Sequence, residues 1–217
     1  MSMEWMIIRG SGIAAFAALS ATTIWGLLVS SKLLGRLVKA KPLTWFHESL
    51  GIVALLATGV HVAVLTMHEY LEFTWTEILV PGASDWRRGA VTFGVVSLYG
   101  LVIVVASFYI KKHIGQKTWR LIHFASLGVF LASLIHGVSA GTDTRTPLMI
   151  GLYVGSAGVV GLLLAVRLTG AGETGRSPRP NPVESKLARE GAAGPAGRTE
   201  STSSVECEGC CIRRLSA

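Results

Sequence analysis

Four histidines lie in stretches of sequence where an ionisable ring is costly. His47 and His61 belong to TWFHESLGIVALLATGVHVAVL, residues 44–65, and His123 and His136 to TWRLIHFASLGVFLASLIHG, residues 118–137. Each stretch is long and apolar enough to cross a bilayer. An imidazole there is tolerated only when neutral and partnered, so each is a functional-site hypothesis. Within each stretch the rings are 14 or 13 positions apart, roughly 20 Å at the helical rise. That is far too long for one metal ion and suits two stacked sites, one near each leaflet.

If both segments enter from the same side, His47 matches His123 in depth and His61 matches His136. Two imidazoles facing each other across a bundle interior, with no carboxylate or thiol beside the outer pair, suit the two axial positions of a haem iron. Zinc would want four ligands close together, and copper or iron without a porphyrin would recruit carboxylate or sulfur. With both axial positions filled by protein, such an iron is suited to moving single electrons. The alternative is that each ring only hydrogen-bonds between helices. Helical angles favour the first pair. Fourteen residues at about 100° each leave His61 about 40° from His47, whereas thirteen leave His136 about 140° from His123, so an irregularity near Gly128 is expected.

The elements that must position these rings follow from composition. The 217 residues are 50% hydrophobic and 15% charged, with mean hydropathy +0.51. A soluble domain carries roughly 25% charged residues, so the class is an all-α integral membrane bundle. At roughly 20 apolar residues per crossing, five spans are expected near 10–30, 45–67, 90–110, 120–140 and 147–168. Net charge +7 comes from short basic clusters between apolar runs, which is the pattern of topology signals and not of a nucleic-acid surface. Lys32, Arg36, Lys39 and Lys41 in the first connection, and Lys111, Lys112, Lys117 and Arg120 in the third, set these loops in the cytoplasm. The N-terminus is then outside and the C-terminus inside.

Residues 170–217 change to Gly, Pro, Ser, Glu and Arg and read as a flexible cytoplasmic tail, separate from the membrane domain of residues 1–169. Near its end the tail carries CEGCC, residues 207–211. Cys207, Cys210 and Cys211 lack the histidine that follows the second cysteine of a covalent haem signal, so none is expected. GSGIAA, residues 10–15, has the letters of a dinucleotide fingerprint, but no strand precedes it and the helix it opens lies in the membrane.

Other residues carry two readings each. Small residues at Gly51, Ala54, Ala57, Gly59, Ala125, Ser126, Gly128 and Ala132 leave room for a flat macrocycle, or let helices approach closely. Glu48 is a first-turn residue with Thr44 as cap, or a group that orients His47. Arg120 pairs with a haem propionate, or anchors the inner surface, and Trp45 and Trp119 fit an aromatic belt at the same depth. His68, seven residues after His61, is the rival outer ligand, and His113 sits in a basic, solvated loop.

These residues resemble the ferric-reductase-like transmembrane domain, the haem-bearing membrane part shared by ferric reductases, NADPH oxidases and the bacterial haem subunit of methionine sulfoxide reductase. The resemblance covers about residues 10–168. It rests on the thirteen- and twelve-residue intervals between paired histidines, and on HESLGIVALLATGVHV, EILVPGASDWR, WRLIH and HGVSAGTDT.

The resemblance implies two non-covalent b-type haems on His47, His61, His123 and His136, in a bacterial plasma membrane. It also implies electron transfer from a cytoplasmic or membrane donor to an outer-face acceptor. Many members have six helices where five are read here. No flavin or NAD(P) site is expected on this chain, so besides membrane lipid it needs a separate donor: a flavoprotein, a quinol or a soluble carrier. Two other classes compete, a non-catalytic membrane anchor or assembly subunit and a metal-ion carrier that uses the histidines as stepping sites.

Overall fold

A computed structural model describes residues 3–30, 40–67 and 73–174. His68, most of the first basic connection, the tail beyond residue 174 and its three cysteines lie outside the described residues. The helices are α1 (Met3–Ser30), α2 (Ala40–Met67), α3 (Trp75–Leu79), α4 (Arg88–Tyr109), α5 (Lys111–Phe124), α6 (Ser126–Ala140) and α7 (Pro147–Thr174). Five stretches are long and apolar enough to cross a membrane: α1, Thr44–Met67 of α2, α4, α5 with α6, and Pro147–Thr169 of α7. The protein is an all-α integral membrane bundle. For orientation, the end that carries the basic connections is called inner.

Lipid takes the place of water around such a bundle, so its apolar residues divide between a packed face and a lipid face. In α7, Met149, Tyr153, Val160 and Leu163 are buried, whereas Leu148, Val154, Leu162 and Leu168 are exposed. The buried set recurs at helical spacing and forms one stripe. It joins Phe16 and Leu27 of α1 and Phe130 of α6 in one cluster, where the Phe16 ring stacks on Phe130 and meets Tyr153 edge-on. A second cluster lies at mid-depth and ties α1, α2, α4 and α6 through Leu19, Ala54, Leu101 and Val129, with Ala54 fully enclosed.

Two local features differ from the sequence reading. Thr44 does not cap α2, because the helix starts at Ala40 and Thr44 lies one turn inside it. The irregularity between His123 and His136 falls at Ala125, not Gly128. There the helix breaks between α5 and α6, and the Ala125 N–H is shared among the carbonyls of Leu121, Ile122 and His123. A shared donor of this kind marks a tightened turn that resets the helical angle from α5 to α6.

The outer connection before α4 is held by short-range chemistry. Thr74 and Glu77 form a reciprocal capping box on α3, and Tyr99 Oη donates to Leu79 O at 2.8 Å. Glu77 accepts from the Thr74 N–H and hydroxyl, which holds its carboxyl below the usual glutamate range. Arg87 adopts a left-handed φ of 41°, lies over the Trp86 ring and donates to Ser139 O at the end of α6. A non-glycine residue is strained there, and these two contacts hold it in place.

Candidate functional site

At the inner level, α2 and α5 bring His47 and His123 together, with ring centroids 5.8 Å apart and planes at 79°. Two metal–imidazole bonds of about 2 Å each, with the two half-rings, span about 6 Å, so the separation matches a pair of ligands facing one iron. Thr22 of α1 lies between His47 and its own helix. Its hydroxyl donates to His47 O at 3.0 Å, and its oxygen lies 3.0 Å from His47 Nδ1. The single hydroxyl hydrogen is thus committed, so Nδ1 carries the ring proton and Nε2 keeps its lone pair. His123 is supported differently, by a parallel stack on Trp119 with centroids 5.0 Å apart.

At the outer level, the Nδ1 of His61 lies 2.9 Å from Ile8 O in α1, and that of His136 lies 2.8 Å from Ala90 O in α4. A carbonyl can only accept, so each Nδ1 is the donor and each Nε2 is the lone-pair nitrogen. Metal-binding histidines commonly show this arrangement, in which the hydrogen bond of one nitrogen fixes the other as ligand.

Each pair opens on its own cleft. The inner one has about 890 Å³ of unfilled space including its mouth, with His47, Glu48, Gly51, Phe108, Trp119 and His123 on its wall. The outer one measures about 1430 Å³ on the same basis and is bordered by Arg9, His61, Trp86, His136, Asp143 and Tyr153. At its rim Arg9 Nε donates to Asp143 Oδ2 at 2.6 Å and Nη2 to Oδ1, a two-pronged ion pair that ties α1 to the connection between α6 and α7.

These donor sets can be tested against a haem. Among the described residues no group of three or more His, Cys, Asp or Glu gathers closely enough to hold a bare ion. Two imidazoles at each level leave the remaining positions of a metal to some other ligand, and a porphyrin supplies four in one plane. The clefts are far larger than a single ion needs. The inner one also contains the Trp119 Nε1, which is buried without a hydrogen-bond partner. An orphaned buried donor costs about 1–3 kcal/mol, so a group with an acceptor at its edge would complete this site. The residues present fit the group.

Some residues singled out from sequence take other places. Arg120 is exposed beside Trp119, and His113 is exposed. Trp45 is 69% exposed, as a belt residue would be, but Trp119 is turned inward with Lys111 Nζ 4.0 Å from its ring centroid. Gly51 faces the inner cleft with space for a Cβ, whereas Gly59 is exposed on α2. The sequence does not announce the Arg9–Asp143 pair: charges of both signs lie near the outer end of α1 and in the connection after α6, with nothing to say that these two meet.

The chain is thus a membrane-spanning helical bundle with histidine pairs at two levels. The family described as ferric reductase like transmembrane component matches residues 11–135, more than half of the chain, and the chain belongs to that family. His47, His61 and His123 fall within the matched range, and His136 is one residue beyond it. No curated protein and no solved structure matches the chain.

Proposed function

We propose that this protein is a di-haem b membrane cytochrome, with His47 and His123 as the inner ligand pair and His61 and His136 as the outer pair. It receives electrons from a separate cytoplasmic or membrane donor and delivers them to an acceptor at the outer face, with the N-terminus outside and the tail of residues 170–217 in the cytoplasm. The observation that carries this reading is the His47–His123 pair, 5.8 Å apart beside an apolar cleft, with a second pair sharing a cleft one level further out.

A haem bound between two imidazoles would supply a one-electron carrier. The chain's own residues do the rest. Ile8 O, Ala90 O and Thr22 Oγ1 hold protons on Nδ1 and so present Nε2 as the donor atom. Leu19, Leu101, Val104 and Val129 keep the inner cleft apolar. Trp119 Nε1–H on the wall of the inner cleft would supply a donor to an acidic edge of the group, and Lys111 over the Trp119 ring and the exposed Arg120 next to it would add positive charge on that side.

The test is the reduced-minus-oxidised absorbance spectrum of the purified full chain produced with ample iron and porphyrin, with haem counted per polypeptide. Two haems per chain are expected, and a colourless protein that is folded by circular dichroism defeats the reading. If His61→Ala kept both haems and His68→Ala lost one, the outer ligand would be His68. A metal-ion carrier or a structural anchor would show no Soret band.

A further inference from the structure

Three of the four histidines rest on a glycine of a neighbouring helix, in one repeated arrangement. A Cβ added to Gly12 would lie 3.0 Å from His61 Cε1, one on Gly26 would lie 3.0 Å from His47 Cε1, and one on Gly94 would lie 2.7 Å from His136 Nδ1. In each case the Nδ1 partner is four residues before the glycine: Ile8 before Gly12, Thr22 before Gly26, Ala90 before Gly94. In a helix the residue at i and the residue at i+4 lie one above the other on the same face. A missing side chain at i+4 therefore opens the approach to the polar atom at i.

The spacing of the glycines follows that of the rings. Gly12 and Gly26 are 14 residues apart on α1, as His47 and His61 are on α2. On α4 the position 13 residues after Gly94, matching the 13 between His123 and His136, is the buried Ser107. There the arrangement lapses. Ser107 Oγ donates to Val104 O, and His123 lies on Trp119 instead.

We propose that Gly12, Gly26 and Gly94 are positioning residues for the two redox centres: each seats an imidazole against an acceptor that holds its proton on Nδ1. This rests on the di-haem reading. Because hydrogen bonding at Nδ1 makes Nε2 a stronger electron donor to iron, it favours the oxidised metal and lowers the reduction potential. The outer centre has a main-chain carbonyl behind both ligands. The inner centre has the Thr22 main-chain carbonyl and hydroxyl behind His47 and an indole face behind His123, so its potential is tunable through the Thr22 hydroxyl.

The experiment is a spectroelectrochemical titration of the haem-loaded full chain, with EPR of the oxidised form and haem counted per polypeptide. Gly12→Ala and Gly94→Ala are expected to lose or shift the outer centre and leave the inner signal in place, and Gly26→Ala to do the reverse. Gly59→Ala, an exposed α2 position with nothing within 4 Å of the added carbon, is the control and changes neither.

Thr22→Val keeps the shape and removes the polar atom, so it should raise the midpoint of the inner centre alone. Thr22→Ser should restore it. This pair decides the matter even if an alanine variant fails to fold. A wild-type protein with two haems whose seat variants retain both centres, with unchanged EPR and midpoints, or whose Thr22→Val midpoint equals wild type, overturns the seats. A wild-type protein without haem defeats the underlying reading instead.

Discussion

The inner and outer levels of this bundle use the same residue type in different settings. The outer pair is held from behind by main-chain carbonyls of two helices, Ile8 O and Ala90 O, and its cleft is closed at the rim by the Arg9–Asp143 ion pair. The inner pair leans on side chains as well: the Thr22 hydroxyl joins the Thr22 main-chain carbonyl behind His47, the Trp119 ring lies behind His123, and the cleft contains an indole N–H without a partner. Carbonyl acceptors cannot be mutated away. Side-chain supports can be exchanged by single substitutions, so the inner level is where the chain's chemistry is adjustable and the outer level is where it is fixed.

Removing ligands breaks this comparison most severely. His47→Ala or His123→Ala should abolish the inner centre and spare the outer one, and His136→Ala should do the opposite, with each variant losing about half of the Soret absorbance. Next in size is a change that spares neither level. Phe130→Ala empties a buried site between α1, α6 and α7, and on the order of 3 kcal/mol of stability should be lost, measured as thermal unfolding in detergent.

Asp143→Asn removes one partner of a mostly buried ion pair and should cost about 1–3 kcal/mol. Its effect on the spectrum should be confined to the outer centre.

Trp119→Phe is smaller and should differ in sign between two states. Without haem it removes an orphaned donor and should be neutral or stabilising by up to about 1 kcal/mol; with haem it should weaken retention of the inner group. If both states lose stability equally, the indole N–H has a partner other than the bound group.

Smallest is an effect of pH on α3. The Glu77 carboxyl is held below its ordinary range by the cap, so its contribution is present above the unfolded-state pKa and lost as pH falls through the lowered one. The protection factors of the Thr74–Leu79 amides, corrected for the intrinsic pH dependence of exchange, should fall in acid, and Glu77→Gln should remove that dependence.

The spans and the histidine pairs were legible in the sequence because both are set by long-range averages. Twenty apolar residues must cross, and depth on parallel helices can be counted from the inner surface. The supports were not, because they depend on which faces of antiparallel helices meet. Gly12 was visible only as a letter in a dinucleotide-like string. In the fold it lies against His61, and its fourteen-residue interval from Gly26 on α1 matches that of His47 and His61 on α2. Trp119 reads as an interfacial aromatic by position, and only its stack on the ring of His123, four residues on in α5, shows it supporting that histidine. Thr44 lies one turn inside α2 because hydropathy marks only the apolar crossing, whereas the helix begins at Ala40 and takes in Lys41 and Pro42 ahead of it.

Gly12 and Gly26 are carried by one helix that runs unbroken from Met3 to Ser30. A rigid rod with two notches acts as a gauge. If α1 slides or tilts, His61 and His47 are displaced together, and the gap between the two levels on that side is preserved. Across the bundle, the interruption at Ala125 gives His123 and His136 no such common ruler, so distance between the levels is set by one wall and adjusted at the other.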